Sequence, residues 1–219
     1  MTTIVTTADR PPVEEMYVVH RSFRTHLPGV AAHVRATGAG DLRRAAAVAE
    51  HLRLLLLGLE LHHTGEDAEL WPLLLERARP QADLVAVMQQ QHDTVHGLVE
   101  YVRSCAFQWR TDPGALTGEQ LARGIESLCT RLFEHLDLEE RAVLPLVERF
   151  VTRAEWARLG ESVKKARPAD AAVLVGALLD VCDARERRLM LAGLPAPVRL
   201  LAGPLGTRLY RRHVRRLER

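Results

Sequence analysis

Residues 61–74 read LHHTGEDAELWPLL, and residues 134–147 read EHLDLEERAVLPLV. Aligned on His62 and His135, both stretches carry a glutamate four residues on (Glu66 and Glu139) and a proline ten residues on (Pro72 and Pro145), so every equivalent pair is 73 residues apart. Positions i and i+4 of an α-helix lie one above the other, so each HxxxE presents an imidazole and a carboxylate to one point. His20 and His92 precede the two motifs by 42 and 43 residues. The order is H…HxxxE…H…HxxxE, a helical hairpin written twice.

Helical periodicity extends outward from these motifs. A first helix is predicted from about residue 12 to 36, with Met16, His20, Phe23 and Leu27 on one face. Gly38 to Asp41 interrupts, and Asp41 is placed to cap a second helix over 42–78, whose stripe is Leu55, Leu59, His62 and Glu66. Pro80 ends it. A third helix, with Asp83 in its first turn, runs to about residue 110 on the stripe Val85, Met88, His92, Val95, His96 and Val99. TDPGALTGE (111–119) reads as a loop, and a fourth helix reaches about residue 150 through Ile125, Leu128, Leu132, His135 and Glu139.

Four amphipathic helices with short connections predict an all-α protein, an up-and-down four-helix bundle over residues 13–150. Residues 151–219 form a helical C-terminal extension. Thr152 and Glu155 make a capping box, a further helix spans 169–192, and Pro and Gly break residues 194–206. The end, RLYRRHVRRLER (208–219), reads as a short basic amphipathic helix that docks through Tyr210, Val214 and Leu217.

Composition agrees. Apolar residues make up 47% of the 219-residue chain but aromatic ones only 5%, a Leu/Ala/Val mix that favours helix over strand. A net charge of +2 argues against a nucleic-acid or membrane partner for the chain as a whole. Cys105, Cys129 and Cys182 form no CxxC pair, which suits a reducing compartment. MTTIVTTADRPP has no signal-peptide pattern, and the most apolar run, 52–61, contains Arg53 and Glu60 and is too short for a bilayer. A cytoplasmic location is expected.

Each HxxxE falls on an apolar stripe, where an ionised carboxylate is costly unless something compensates it. A metal ion does so directly. Imidazole and carboxylate without thiolate suit iron, manganese or zinc, and two carboxylates facing each other across a pseudo-two-fold bundle suit a dinuclear centre. His63 projects about 100° away from His62 around an ideal helix and reads as a supporting or surface residue. His26, His33, His51 and His213 read as ordinary.

With these motifs the chain resembles the hemerythrin-like (HHE cation-binding) domain over about residues 13–150, and GEDxxLWPLL resembles bacterial members of that family. The resemblance implies a non-haem di-iron centre, two iron ions with a bridging oxo or hydroxo group, held by five histidines and two carboxylates. The residues that supply them are His20, His62, Glu66, His92, His96, His135 and Glu139. By the same resemblance His20 and His62 hold the iron with an open position, His92, His96 and His135 hold the other, and Glu66 and Glu139 bridge. The implied function is binding or sensing of O2 or a related small oxidant. The alternatives are an enzyme decomposing peroxide or nitric oxide, and an iron-responsive regulator.

Overall fold

The computed structural model describes residues 5–192 and 196–218. Four long helices form the bundle: α1 (Glu14–Arg35), α2 (Leu42–Gly65), α4 (Ala82–Thr111) and α5 (Ala115–Leu138). Each packs on its two neighbours in the cyclic order α1, α2, α4, α5, and no strand occurs among the described residues. The architecture is the predicted all-α bundle. The Asp41 carboxylate caps α2 by accepting a hydrogen bond from the Arg44 backbone N–H at 2.9 Å. The α4–α5 loop is shorter than expected, because α5 already begins at Ala115, with the Thr117 hydroxyl accepting from the Gly114 N–H.

Both HxxxE helices change pitch at the glutamate. Glu66–Leu70 and Glu139–Val143 are π-helical turns, closed by the Trp71 N–H on the Glu66 carbonyl and the Leu144 N–H on the Glu139 carbonyl. Short helices α3 (Trp71–Arg77) and α6 (Leu144–Phe150) continue each axis. Pro72 and Pro145 sit at the starts of these helices, where a missing N–H is tolerated.

The core consists of two apolar clusters. One holds Phe23, Leu27, Leu55, Leu59, Val95, Val99, Leu128 and Leu132, and the other holds Met16, Leu70, Trp71, Met88, Val143 and Val147. On every long helix the predicted site residue falls between the two: His20 between Met16 and Phe23, His92 between Met88 and Val95, His135 between Leu132 and Val143. A polar layer therefore crosses the bundle at its waist.

The C-terminal residues pack on the bundle. α7 (Arg153–Leu159) opens with the predicted Thr152–Glu155 capping box. Its Trp156 joins the second cluster, donating its indole N–H to Glu15 at 3.0 Å. The expected helix over 169–192 is two helices, α8 (Pro168–Asp180) and α9 (Ala184–Ala192). The expected break at 194–206 does not extend past its first residues. Leu194 and Pro195 lie outside the described residues, but α10 (Ala196–Val214) runs straight through Pro204. Packing outweighs the local proline penalty there: Gly206 lies against Gly176 of α8 so closely that a Cβ on Gly176 would sit 2.1 Å from the Gly206 carbonyl oxygen. Tyr210 and Leu217 are buried and Val214 packs on the first cluster, as the docking face predicts.

Candidate metal centre

α2 contributes adjacent histidines that face different neighbours. His62 turns toward α1, its ring edge-on to His20 with centroids 5.2 Å apart. His63 turns toward α4 and stacks on His92 at 4.0 Å, with the ring planes 12° apart. One turn on, Glu66 sends Oε1 to within 3.4 Å of His62 Nε2 and Oε2 to within 3.4 Å of His92 Nε2. Glu139 approaches His20 Nε2 at 3.2 Å and His135 Nε2 at 3.8 Å.

These atoms form two overlapping groups able to hold a cation, one from His63, Glu66, His92 and His135, the other from His20, His62, Glu66 and Glu139. Glu66 belongs to both. The first group offers three imidazoles and the second two, so the two positions are inequivalent.

The outer nitrogens are held in a repeated way. His20 Nδ1 lies 2.8 Å from Glu140 Oε1, and His92 Nδ1 lies 2.7 Å from Asp67 Oδ1. In each half, the residue after the buried glutamate orients the histidine of another helix. Arg24 donates to Glu140 at 2.9 Å and the Trp71 indole N–H to Asp67 at 2.9 Å. His135 Nδ1 faces the Gln91 side-chain oxygen at 3.2 Å. With a proton on Nδ1, each of these imidazoles directs the lone pair of Nε2 inward.

Beyond the His–Glu approaches given above, the inward atoms have nothing to bind. Nε2 of His20, His62, His63, His92 and His135 and both oxygens of Glu66 and Glu139 are buried without a hydrogen bond. So many unpaired buried groups in one layer would be strongly destabilising in themselves. Imidazole nitrogens and carboxylate oxygens that converge in this way match the donor set of an iron, manganese or zinc site.

The electrostatics express the same crowding. Burial and the neighbouring Glu139 push the Glu66 carboxyl up to about 8. Burial also acts upward on Glu139, but His20, His62 and His135 overcome it and hold that carboxyl low. Burial and surrounding imidazoles keep His62 and His63 well below their usual value, hence neutral, the form that binds metal.

Six of the seven sequence-predicted residues, His20, His62, Glu66, His92, His135 and Glu139, are brought together. His96 is not. It is exposed, because the buried seam of α4 runs through Val85, Met88, His92, Val95 and Val99 and leaves the flanking position 96 in solvent. His63, expected at the periphery, occupies the interior instead. Its sequence signal was the unbroken leucine run Leu54–Leu57: Leu54, Leu55 and Leu56 are all buried, so α2 is covered over an arc wide enough to bring two consecutive residues inside. Asp67, Glu140 and Gln91 carried no comparable signal.

Among the described residues no helix is long and apolar enough to cross a membrane. No curated protein and no solved structure matches the chain. The family model of the hemerythrin HHE cation-binding domain matches residues 11–147, which run from before α1 into α6 and include every member of both cation-holding groups. The chain belongs to the hemerythrin HHE cation-binding family.

Proposed function

We propose that the bundle, as a domain of residues 13–150, holds two non-haem irons and binds O2 or a related small oxidant. The residues that would hold the metals in this reading are His20, His62, His63, His92, His135, Glu66 and Glu139, with Glu66 common to both positions, so His63 takes the place first expected for His96. The observation that carries it is the convergence of unpartnered buried Nε2 and carboxylate oxygen atoms in one layer. Each position offers four donor residues, and that of His20 and His62 has Glu139 where the other has a third imidazole. In this reading it is the position of His20 and His62 that takes the small ligand.

Ferrous ions held by these residues would supply electrons to a small oxidant. The chain supplies the rest. Asp67 and Glu140 fix the imidazole tautomers, and the apolar clusters above and below keep bulk water from the layer.

The test is elemental analysis of the purified protein, with optical spectra recorded as the reduced protein meets O2. Two irons per chain and a charge-transfer band that disappears on degassing are expected. Two irons with irreversible oxidation would redirect the reading to peroxide or nitric oxide turnover. Zinc, or less than one metal per chain after reconstitution, would overturn it.

A further inference from the structure

Six arginines, Arg187, Arg199, Arg208, Arg211, Arg212 and Arg215, line a cleft of about 870 Å³ between α9 and α10, and no acidic residue lines it. Its origin is helical spacing. Arg208, Arg211, Arg212 and Arg215 fall at i, i+3, i+4 and i+7 along the end of α10 and the turn that follows it, while Gly206, Tyr210, His213 and Leu217 on the other face are buried. Docking of that buried face turns the arginine stripe outward toward α9. Arg187 fixes the opposite wall by donating to the Leu179 carbonyl oxygen at 2.8 Å and to the Thr207 hydroxyl at 3.4 Å.

Many arginines of the bundle are neutralised by a neighbour. Arg24, Arg35, Arg53, Arg77, Arg103 and Arg123 each pair with a carboxylate. Among the described residues, Arg199, Arg208, Arg211, Arg212 and Arg215 have no carboxylate within ion-pair distance. Asp180 and Glu218 border only a smaller neighbouring depression. The chain carries a net charge of +2, yet residues 196–217 contain six arginines and no acid, so the remainder is net negative. Like charges three and four residues apart repel. A fold that gathers them around a concave space is complete when an anion enters it.

We propose that this cleft binds an organic polyphosphate of nucleotide size. Guanidinium forks match phosphoryl oxygens in pairs, which a lone ammonium cannot do. The volume falls within the roughly 300–1,000 Å³ usual for small-molecule sites. Leu191, Gly203 and Pro204 make part of the wall apolar. The phosphates lie along Arg208, Arg211, Arg212 and Arg215, and the organic group rests against Leu191 and Pro204. This site is separate from the waist of the bundle and does not depend on the metal reading.

The test is calorimetric titration of the full-length, metal-loaded protein with ATP, tripolyphosphate and inorganic phosphate. The first two are added as magnesium complexes so that they do not strip the waist. One ATP per chain is expected, bound more tightly than tripolyphosphate, with inorganic phosphate weakest. The double variant R208K/R212K keeps the charge and loses the forks, and is expected to bind ATP about tenfold more weakly. A control pair on the bundle surface, R123K/R131K, is expected to bind as the parent does, and melting curves establish that each variant is folded. Lack of saturable ATP binding overturns the proposal, as does equal weakening by the control pair. ATP binding no tighter than tripolyphosphate overturns the placement of an organic group. A single-stranded oligonucleotide that binds more tightly than ATP, with several chains per strand, would assign the arginines to nucleic acid instead. Binding confined to phosphatidylglycerol vesicles would assign them to a membrane.

Discussion

His20 Nδ1 and Glu140 Oε1 lie 2.8 Å apart, joining α1 to the first residue after the buried Glu139, and His92 with Asp67 reproduces the relationship in the other half of the bundle at 2.7 Å. Neither carboxylate reaches the waist itself. Each sets how the imidazole before it points. Replacement of Asp67 by Asn or Glu140 by Gln is expected to weaken metal binding by about 10- to 100-fold without changing the number of metals bound. Chelator competition reads the affinity and elemental analysis the stoichiometry. Unchanged affinity in both variants would show that the imidazoles are oriented by packing alone.

Two neighbouring histidine substitutions separate the interior from the surface. His63→Ala removes an Nε2 from the cluster of Glu66, His92 and His135, and is expected to lower the metal content or alter the optical spectrum of the loaded protein. His96→Ala removes an exposed ring and is expected to leave both as they are. The reverse result would restore His96 to the ligand set.

A pair of glycines makes a stability prediction of opposite signs. A Cβ on Gly65 would lie 2.9 Å from the Leu159 carbonyl oxygen, so Gly65→Ala must displace either the end of α7 or the turn that carries Glu66. A loss of about 1–3 kcal/mol is expected, the range for overpacking. Gly97 is exposed in the middle of α4 with nothing near its Cβ position, and Gly97→Ala is expected to gain about 0.5–1 kcal/mol. Urea midpoints measure both.

His51 gives the fold an acid-sensitive contact. Burial, with His213, His26 and His33 nearby, depresses its pKa to about 3. The unfolded chain takes up a proton on this ring below its ordinary value of 6.5, and the folded chain does not until about 3. His51 therefore carries no stability cost above pH 6.5, and stability is lost as pH falls from there, at up to about 1.4 kcal/mol per pH unit. His51→Gln is expected to lose less stability than the parent between pH 7 and 5. Comparing the two cancels the histidines they share at the waist. Parallel pH profiles would show that His51 is protonated in the folded protein.

The helices and most of the waist were legible because both follow from spacing. HxxxE repeated at 73 residues placed His62, Glu66, His135 and Glu139, and the apolar periodicity placed His20 and His92. The exchange of His96 for His63 depends on how wide an arc each helix buries. The α4 seam is narrow, and α2 is covered more broadly because α8 and the turn after α7 also lie against it. Partners such as Glu140 escape periodicity altogether, since their role is fixed by a contact between helices 120 positions apart in the chain. Proline at 204 misled for a related reason: local preference pointed to a break, and a backbone contact with α8 decided otherwise.

The π-helical turns at Glu66 and Glu139 act as phase correctors. Below each histidine the interior positions advance by fours, as 62, 66, 70, 74 and 78 in one half and 135, 139, 143, 147 and 151 in the other. On an ideal α-helix each such step drifts by about 40°. Four steps would rotate the lower positions of each helix well out of the interior. Five residues in the turn where four would serve take up most of that drift, so Leu70, Leu74, Val143 and Val147 still face inward. If either turn relaxed to an ordinary α-helix at the same chain length, everything below it would swing by about 100°, whereas deleting one residue from 67–69 or 140–142 would restore an ordinary helix without that swing. The waist and the core beneath it are thus held in register by one additional residue at each turn, accommodated without rotating the helix that follows.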